Sequence, residues 1–203
     1  VNITGNPGNT LVRNPLLGDT PNPADPLPAE PASCGIHTDY VCTTDQEKIG
    51  GDVLDNDVSL GNLTRAEYFE QFMGLPKGDF QAFANVRDLN DLDNIDIGGQ
   101  VTWIEGDVTS LPSLLGSRDN PVVLVVNGDL TLSGNNVFHG VLYVTGDLIT
   151  KGTPRFYGST IVEGTLDAAS GTPYFIYDPE AKRIARAETG RRTGLSGTWR
   201  DWP

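Results

Sequence analysis

Histidine, cysteine and methionine are nearly absent: 203 residues carry two, two and one of them. Only His37 and His139 supply imidazole, too little for a histidine-based metal centre. Basic residues are scarce as well, 14 Lys and Arg against 27 Asp and Glu, for a net charge of −13. Such a chain repels phosphate backbones and anionic headgroups, so nucleic acid is set aside as a partner. No run of about 20 apolar residues is there to cross a bilayer, and no cleavable signal peptide opens the chain. The Gly-x-Ser-x-Gly elbow and the Gly-rich phosphate loop are both missing. A Ser-His-Asp triad would have to recruit His37 or His139, and no spacing supports it. No enzymatic activity is expected.

Glycine and proline are plentiful, at 24 and 14 residues. Such usage suits a fold rich in turns rather than a helical bundle. A chain of 203 residues fits one domain, able to bury roughly 70% of its unfolded surface without metal or disulfide support. Its expected parts are three. Residues 1–100 hold a first strand, a Pro-rich insertion and a helix, residues 101–177 a repeat, and residues 178–203 a capping helix and tail.

The first part opens on Val-Asn-Ile-Thr-Gly, the alternation of a strand, and its abruptness suggests a preceding segment in the parent protein. Pro15, Pro21, Pro23, Pro26, Pro28 and Pro31 forbid helix over 14–31, leaving a long extended loop. Cys34 and Cys42 follow, close a small loop and read as a disulfide in an oxidising compartment. A metal site using His37 is the weaker alternative. Thr64 and Glu67 form a capping box for a helix over 64–73, which Gly74 and Pro76 end. Residues 79–97 read as an Asp- and Asn-rich loop.

The second part repeats. Residues 124–141, 142–159 and 160–177 align with valine at position three (Val126, Val144, Val162), glycine at five (Gly128, Gly146, Gly164) and leucine at seven (Leu130, Leu148, Leu166). Trp103–Val108, with Gly106 at the turn, reads as an earlier rung, separated by a small insertion around 111–120. A repeat of 18 residues with alternating apolar positions and a turn glycine predicts a mainly β fold. That fold is a short parallel β-solenoid of about 18 residues per rung, with a few short helices and the long Pro-rich loop. Stacked rungs would lie about 4.8 Å apart, and three short sides would give a triangular section.

Asp107, Asp129 and Asp147 follow successive turn glycines, and Thr165 continues the line. Calcium is one reading, since hard cations take carboxylate oxygens. Turn capping is the other, and Thr165 in the same register favours it. Asp88, Asp91 and Asp93 form a second, weak calcium candidate in the acidic loop. Otherwise no cofactor is expected. In the last part, Asp178 and Pro179 start a helix over 179–189 that would cap one solenoid end. Lys182, Arg183, Arg186, Arg191 and Arg192 lie in or just after it. Residues 179–203 carry six basic against three acidic side chains, a net of +3 that leaves −16 on the remainder. This basic end is a candidate contact surface for acidic partners.

The order of these parts resembles PilX-type minor pilins, proteins of type IV pilus assembly. The resemblance is carried by Val1-Asn-Ile-Thr-Gly-Asn-Pro, the helix Glu67-Tyr-Phe-Glu-Gln-Phe-Met-Gly and Val101-Thr-Trp-Ile-Glu-Gly-Asp. It continues in Gly140-Val-Leu-Tyr-Val-Thr-Gly-Asp and the ending Gly197-Thr-Trp-Arg-Asp-Trp. It implies a structural protein of the bacterial periplasm or cell surface that joins other minor pilins and a tip adhesin. It also implies membrane attachment through an N-terminal apolar helix, which these residues lack. The rival reading is a secreted adhesin or carbohydrate-binding module, which requires an exposed aromatic line such as Tyr143, Tyr157 and Tyr174.

Overall fold

The computed structural model describes residues 2–5, 11–13, 40–42, 58–87, 99–171, 173–176, 178 and 183–184. The chain is mainly β, and parallel strands build a β-solenoid whose rungs recur 18 residues apart. One column of the coil is β5 (Val101–Glu105), β7 (Val122–Asn127), β9 (Val137–Val144) and β11 (Arg155–Val162). A second column is β8 (Leu130–Gly134), β10 (Leu148–Gly152) and β12 (Thr165–Gly171). Leu130, Leu148 and Leu166 are direct neighbours, as are Val126 and Val144, and Val144 and Val162; the β10–β12 register then slips by one residue between Ile149 and Lys151.

Alternation places these ladders inside. Val122, Leu124 and Val126 of β7 face the interior with Leu130, Leu142, Val144 and Leu148, while Val123 and Val125 face outward. Each enclosed Val or Leu contributes about 1.5–3 kcal/mol of burial, so the stack holds only when rungs cover one another. Phe138, Phe156 and Phe175 form an interior aromatic file, the last two stacked with centroids 4.9 Å apart.

Three expected sides become two hydrogen-bonded sheets, because β9 and β11 each run through two sides without a break. Outward residues early in these strands, Val137 and Tyr157, join one external cluster, and later ones, Val141, Tyr143 and Ile161, join another. The extra length of the first rung falls between β6 (Leu114–Leu115) and Val122. There the partner offset drops from 23 to 18.

The beginning of the chain completes the far end. β1 (Asn2–Gly5) pairs in parallel with β12, Ile3 opposite Leu166. β2 (Leu11–Arg13) pairs in parallel with β13 (Tyr174–Ile176), Leu11 opposite Tyr174. β1 and β2 thus contribute the strands of a further rung laid on the last one in sequence. β3 (Tyr40–Cys42) then closes that edge antiparallel to β2. At the opposite end β4 (Asn85–Arg87) pairs with β5.

Helices lie on the outer face of β5, β7 and β9. α1 (Val58–Gly61) precedes α2 (Arg65–Met73), whose start is the expected capping box. The Thr64 N–H donates to Glu67 at 2.8 Å and the Glu67 N–H to the Thr64 hydroxyl at 3.3 Å. Gly74, at φ 77°, ends the helix. The acidic loop expected from residue 79 onward is corrected over its first part: α3 (Lys77–Phe83) and β4 occupy it. Pro76, read as a helix terminator, also opens α3, where its missing N–H costs nothing. Asp79 in the first turn of α3 suits the positive end of the helix. Phe69 and Phe80 bury themselves against Trp103, Val123, Val125 and Tyr143. Tertiary burial of Phe80 therefore decides a segment whose composition reads as loop.

Candidate functional site

The three turn aspartates stand in one column, and each carboxylate is engaged. Oδ1 of Asp107 accepts the Asp129 N–H at 2.9 Å, Oδ1 of Asp129 the Asp147 N–H at 2.8 Å, and Oδ1 of Asp147 the Thr165 N–H at 2.7 Å. The capped amide belongs to the next rung rather than to the same turn. Capping is therefore an inter-rung staple, and Thr165 ends this file because it has no carboxylate to offer. Among the described residues no cluster of three His, Cys, Asp or Glu side chains is placed to hold a metal ion. Asp88, Asp91 and Asp93 lie outside the described residues.

The turn glycines serve two different needs. Gly106 has φ 90° and open space where a Cβ would sit, so its backbone angle demands glycine. At Gly146 the demand is room: a Cβ would lie 2.0 Å from Asp129 Oδ1 and 2.8 Å from the Gly128 carbonyl. Gly128 and Gly164 are crowded in the same way. Of the four turn glycines only Gly106 has a positive φ.

One residue before each turn glycine runs a second polar file, Glu105, Asn127, Thr145 and Glu163, where the solenoid meets the helices. Lys77 Nζ of α3 donates to Asn127 Oδ1 at 2.6 Å and lies 5.8 Å from the Trp103 ring centroid. Asn127 Nδ2 donates to Glu105 Oε2 at 2.6 Å, and Gln81 Nε2 to Glu105 Oε1 at 2.6 Å. Thr145 Oγ1 donates to Asn127 Oδ1 at 3.2 Å. The Asn127 hydrogen bond above all holds the Glu105 carboxyl below its ordinary range. One register further, the Tyr143 hydroxyl donates to Glu163 Oε1 at 2.8 Å. Burial, then Glu163, pushes the Tyr143 phenol far up, and burial raises Tyr68 as well. Sequence reasoning missed this file. Its only signal was a polar residue at position four of every repeat, and which partner each one meets depends on α2 and α3.

The other external face centres on His139. It lies within β9, 1% exposed, stacked on Tyr157 with ring centroids 4.7 Å apart. Its Nδ1 is buried without a hydrogen-bond partner. Burial lowers its pKa, while the nearby Asp178 charge raises it and Arg118 lowers it. Arg118, from the first-rung insertion, meets the fully buried Asp178 at 3.3 Å and so ties that insertion to the residue beyond the last rung.

Tyr143, Tyr157 and Tyr174 are all buried, so they form no exposed aromatic line of the kind a carbohydrate-binding module needs. Of the basic segment, Arg183 is described and exposed, in a helical stretch with Ile184. Lys182, Arg186, Arg191, Arg192 and Cys34 lie outside the described residues, while Cys42 sits in β3. No helix among the described residues is long and apolar enough to cross a membrane.

Fold and site together define a parallel β-solenoid with a helical layer on one outer face and its polar edge files engaged in hydrogen bonds between rungs. Compared with protein-family models, curated proteins and solved structures, the chain finds no match in any of the three.

Proposed function

We propose that the chain is the solenoid domain of a PilX-type minor pilin, acting by recognition rather than catalysis in type IV pilus assembly. Its partners are other minor pilins and a tip adhesin, and its place is the bacterial periplasm and cell surface. Membrane attachment falls to an N-terminal helix of the parent protein. The observation that carries the reading is how the stretches bearing the resemblance pack together. Strand β1 lies on β12, and helix α2 covers the rungs that hold Val101–Asp107 and Gly140–Asp147. A rigid scaffold of this kind presents loops and an end face to partners.

The test is genetic. Deleting the parent gene in the source bacterium is expected to abolish or sharply reduce surface pili, with restoration by the gene in trans. Upstream of Val1 the coding region is expected to specify a short basic leader followed by about 20 apolar residues. Full piliation without the gene would overturn the proposal.

A further inference from the structure

Lys77, Glu105 and Asn127 arrive from three elements: the first residue of α3, the last of β5 and the last of β7. They meet around one carboxamide. Lys77 Nζ reaches Asn127 Oδ1 at 2.6 Å from the oxygen side, and Glu105 Oε2 accepts Asn127 Nδ2 at 2.6 Å on the nitrogen side. With a C=O bond of about 1.23 Å and ordinary hydrogen-bond angles, the amine lies roughly 3.4 Å from the carboxamide carbon, on the oxygen side, so addition requires Nζ to swing from Oδ1 onto the face of the carboxamide. Thr145 Oγ1 donates to the same Oδ1 at 3.2 Å, where negative charge would develop if an amine added to that carbon. Gln81 holds the other oxygen of Glu105 at 2.6 Å, and the buried Trp103 ring floors the Lys77 side.

The geometry points to an autocatalytic isopeptide bond between Lys77 Nζ and Asn127 Cγ. Lys77 is the nucleophile, Asn127 the electrophile, Glu105 the proton carrier and Thr145 the donor to the oxyanion. The Lys77 ammonium gives one proton through solvent to Glu105, whose Oε2 stands on the Nδ2 side, and the freed amine adds to Cγ. As the tetrahedral species collapses, the Cγ–Nδ2 bond breaks. Nδ2 leaves with a second Nζ proton and the proton returned by Glu105. A lysine ammonium and a carboxamide thereby become a secondary amide and an ammonium ion, with atoms and charge balanced and no oxidant or co-reactant. The bond joins residues 50 apart and fastens the helical layer to the solenoid. It is independent of which partner the domain serves.

The test is the intact mass of the full chain, folded, then reduced and denatured. The expected mass is one ammonia below the sequence mass. Trypsin should leave Lys77 uncleaved and yield residues 66–87 joined to residues 119–151. Glu105→Gln should return the chain to its sequence mass, and Lys77→Arg should do the same. A wild-type chain at full sequence mass, with Lys77 cut by trypsin, overturns the proposal. So does an ammonia loss confined to 119–151 alone, because Asn127 precedes Gly128 and a succinimide there loses ammonia too. Linkage in Glu105→Gln at the wild-type rate removes Glu105 from the reaction.

Discussion

Oδ1 of Asp129 accepts the backbone N–H of Asp147 at 2.8 Å, one rung away. Asp129 is itself capped by Asp107 and Asp147 caps Thr165, so a line of side chains adds to the backbone bonds that join successive rungs at this corner, among them the Gly146 N–H to the Gly128 carbonyl and the Gly164 N–H to the Gly146 carbonyl. Asp129→Ala leaves the Asp147 amide without its acceptor and is expected to cost about 1–2 kcal/mol. Asp129→Asn keeps an oxygen there and should cost less. Urea unfolding should show a lower midpoint at unchanged slope. A midpoint equal to wild type for the alanine variant would remove the ladder from the stability account.

Gly146 and Gly106 separate room from backbone angle. Gly146→Val drives a Cβ into Asp129 and the Gly128 carbonyl, neither of which can retreat without breaking the rung pairing. A loss of more than about 3 kcal/mol is expected, beyond ordinary overpacking. Gly106→Ala meets no atom and pays only for its positive φ, about 1–2 kcal/mol. Thermal melting of the two variants checks the order, and equal losses would refute it.

His139 makes stability depend on pH. Burial lowers its folded pKa below the ordinary value of 6.5, against the opposing pull of Asp178 and with the help of Arg118. The unfolded chain therefore takes up the proton first. The contribution is fully present above about pH 6.5 and is lost as pH falls from there through the lowered folded value. His139→Phe keeps the stack on Tyr157 and removes the titration. Its unfolding free energy should fall less than that of wild type between pH 7 and pH 5, and parallel pH curves for the two proteins would remove His139 as the cause.

Phe69 anchors the helical layer, with ring centroids 4.8 Å from Tyr143, 5.5 Å from Phe80 and 6.1 Å from Trp103. Phe69→Ala empties that junction at a cost of about 3–5 kcal/mol. Because the solenoid interior is a separate cluster, the loss should be local. Amide exchange should quicken across 65–83 and stay slow in β9 and β11. Equal quickening in both would show that helices and solenoid open as one unit.

Much of the fold was legible because its causes are local or periodic. The Val, Gly and Leu positions of the repeat, the Thr64–Glu67 box and Gly74 each act through their own residue type or a neighbour three positions away. The rung repeat announces itself because every rung must offer the same face to the next. The aspartate file was legible as a position, and capping was the better of its two readings. Its partner, an amide 18 or 22 residues onward, follows only once rungs are stacked.

Composition and spacing by themselves determined a mainly β solenoid, its rung length, its interior ladders and the start and end of α2. Tertiary structure alone decided that β1 and β2 lie on the last rung, that α3 forms within an acidic stretch, and that the three tyrosines are buried. It also brought Lys77, Asn127 and Glu105 to one carboxamide. The division has one physical reason. A repeat or a cap is written in neighbouring residues, whereas a long-range pairing is chosen by the surface left uncovered after the rest of the chain has packed.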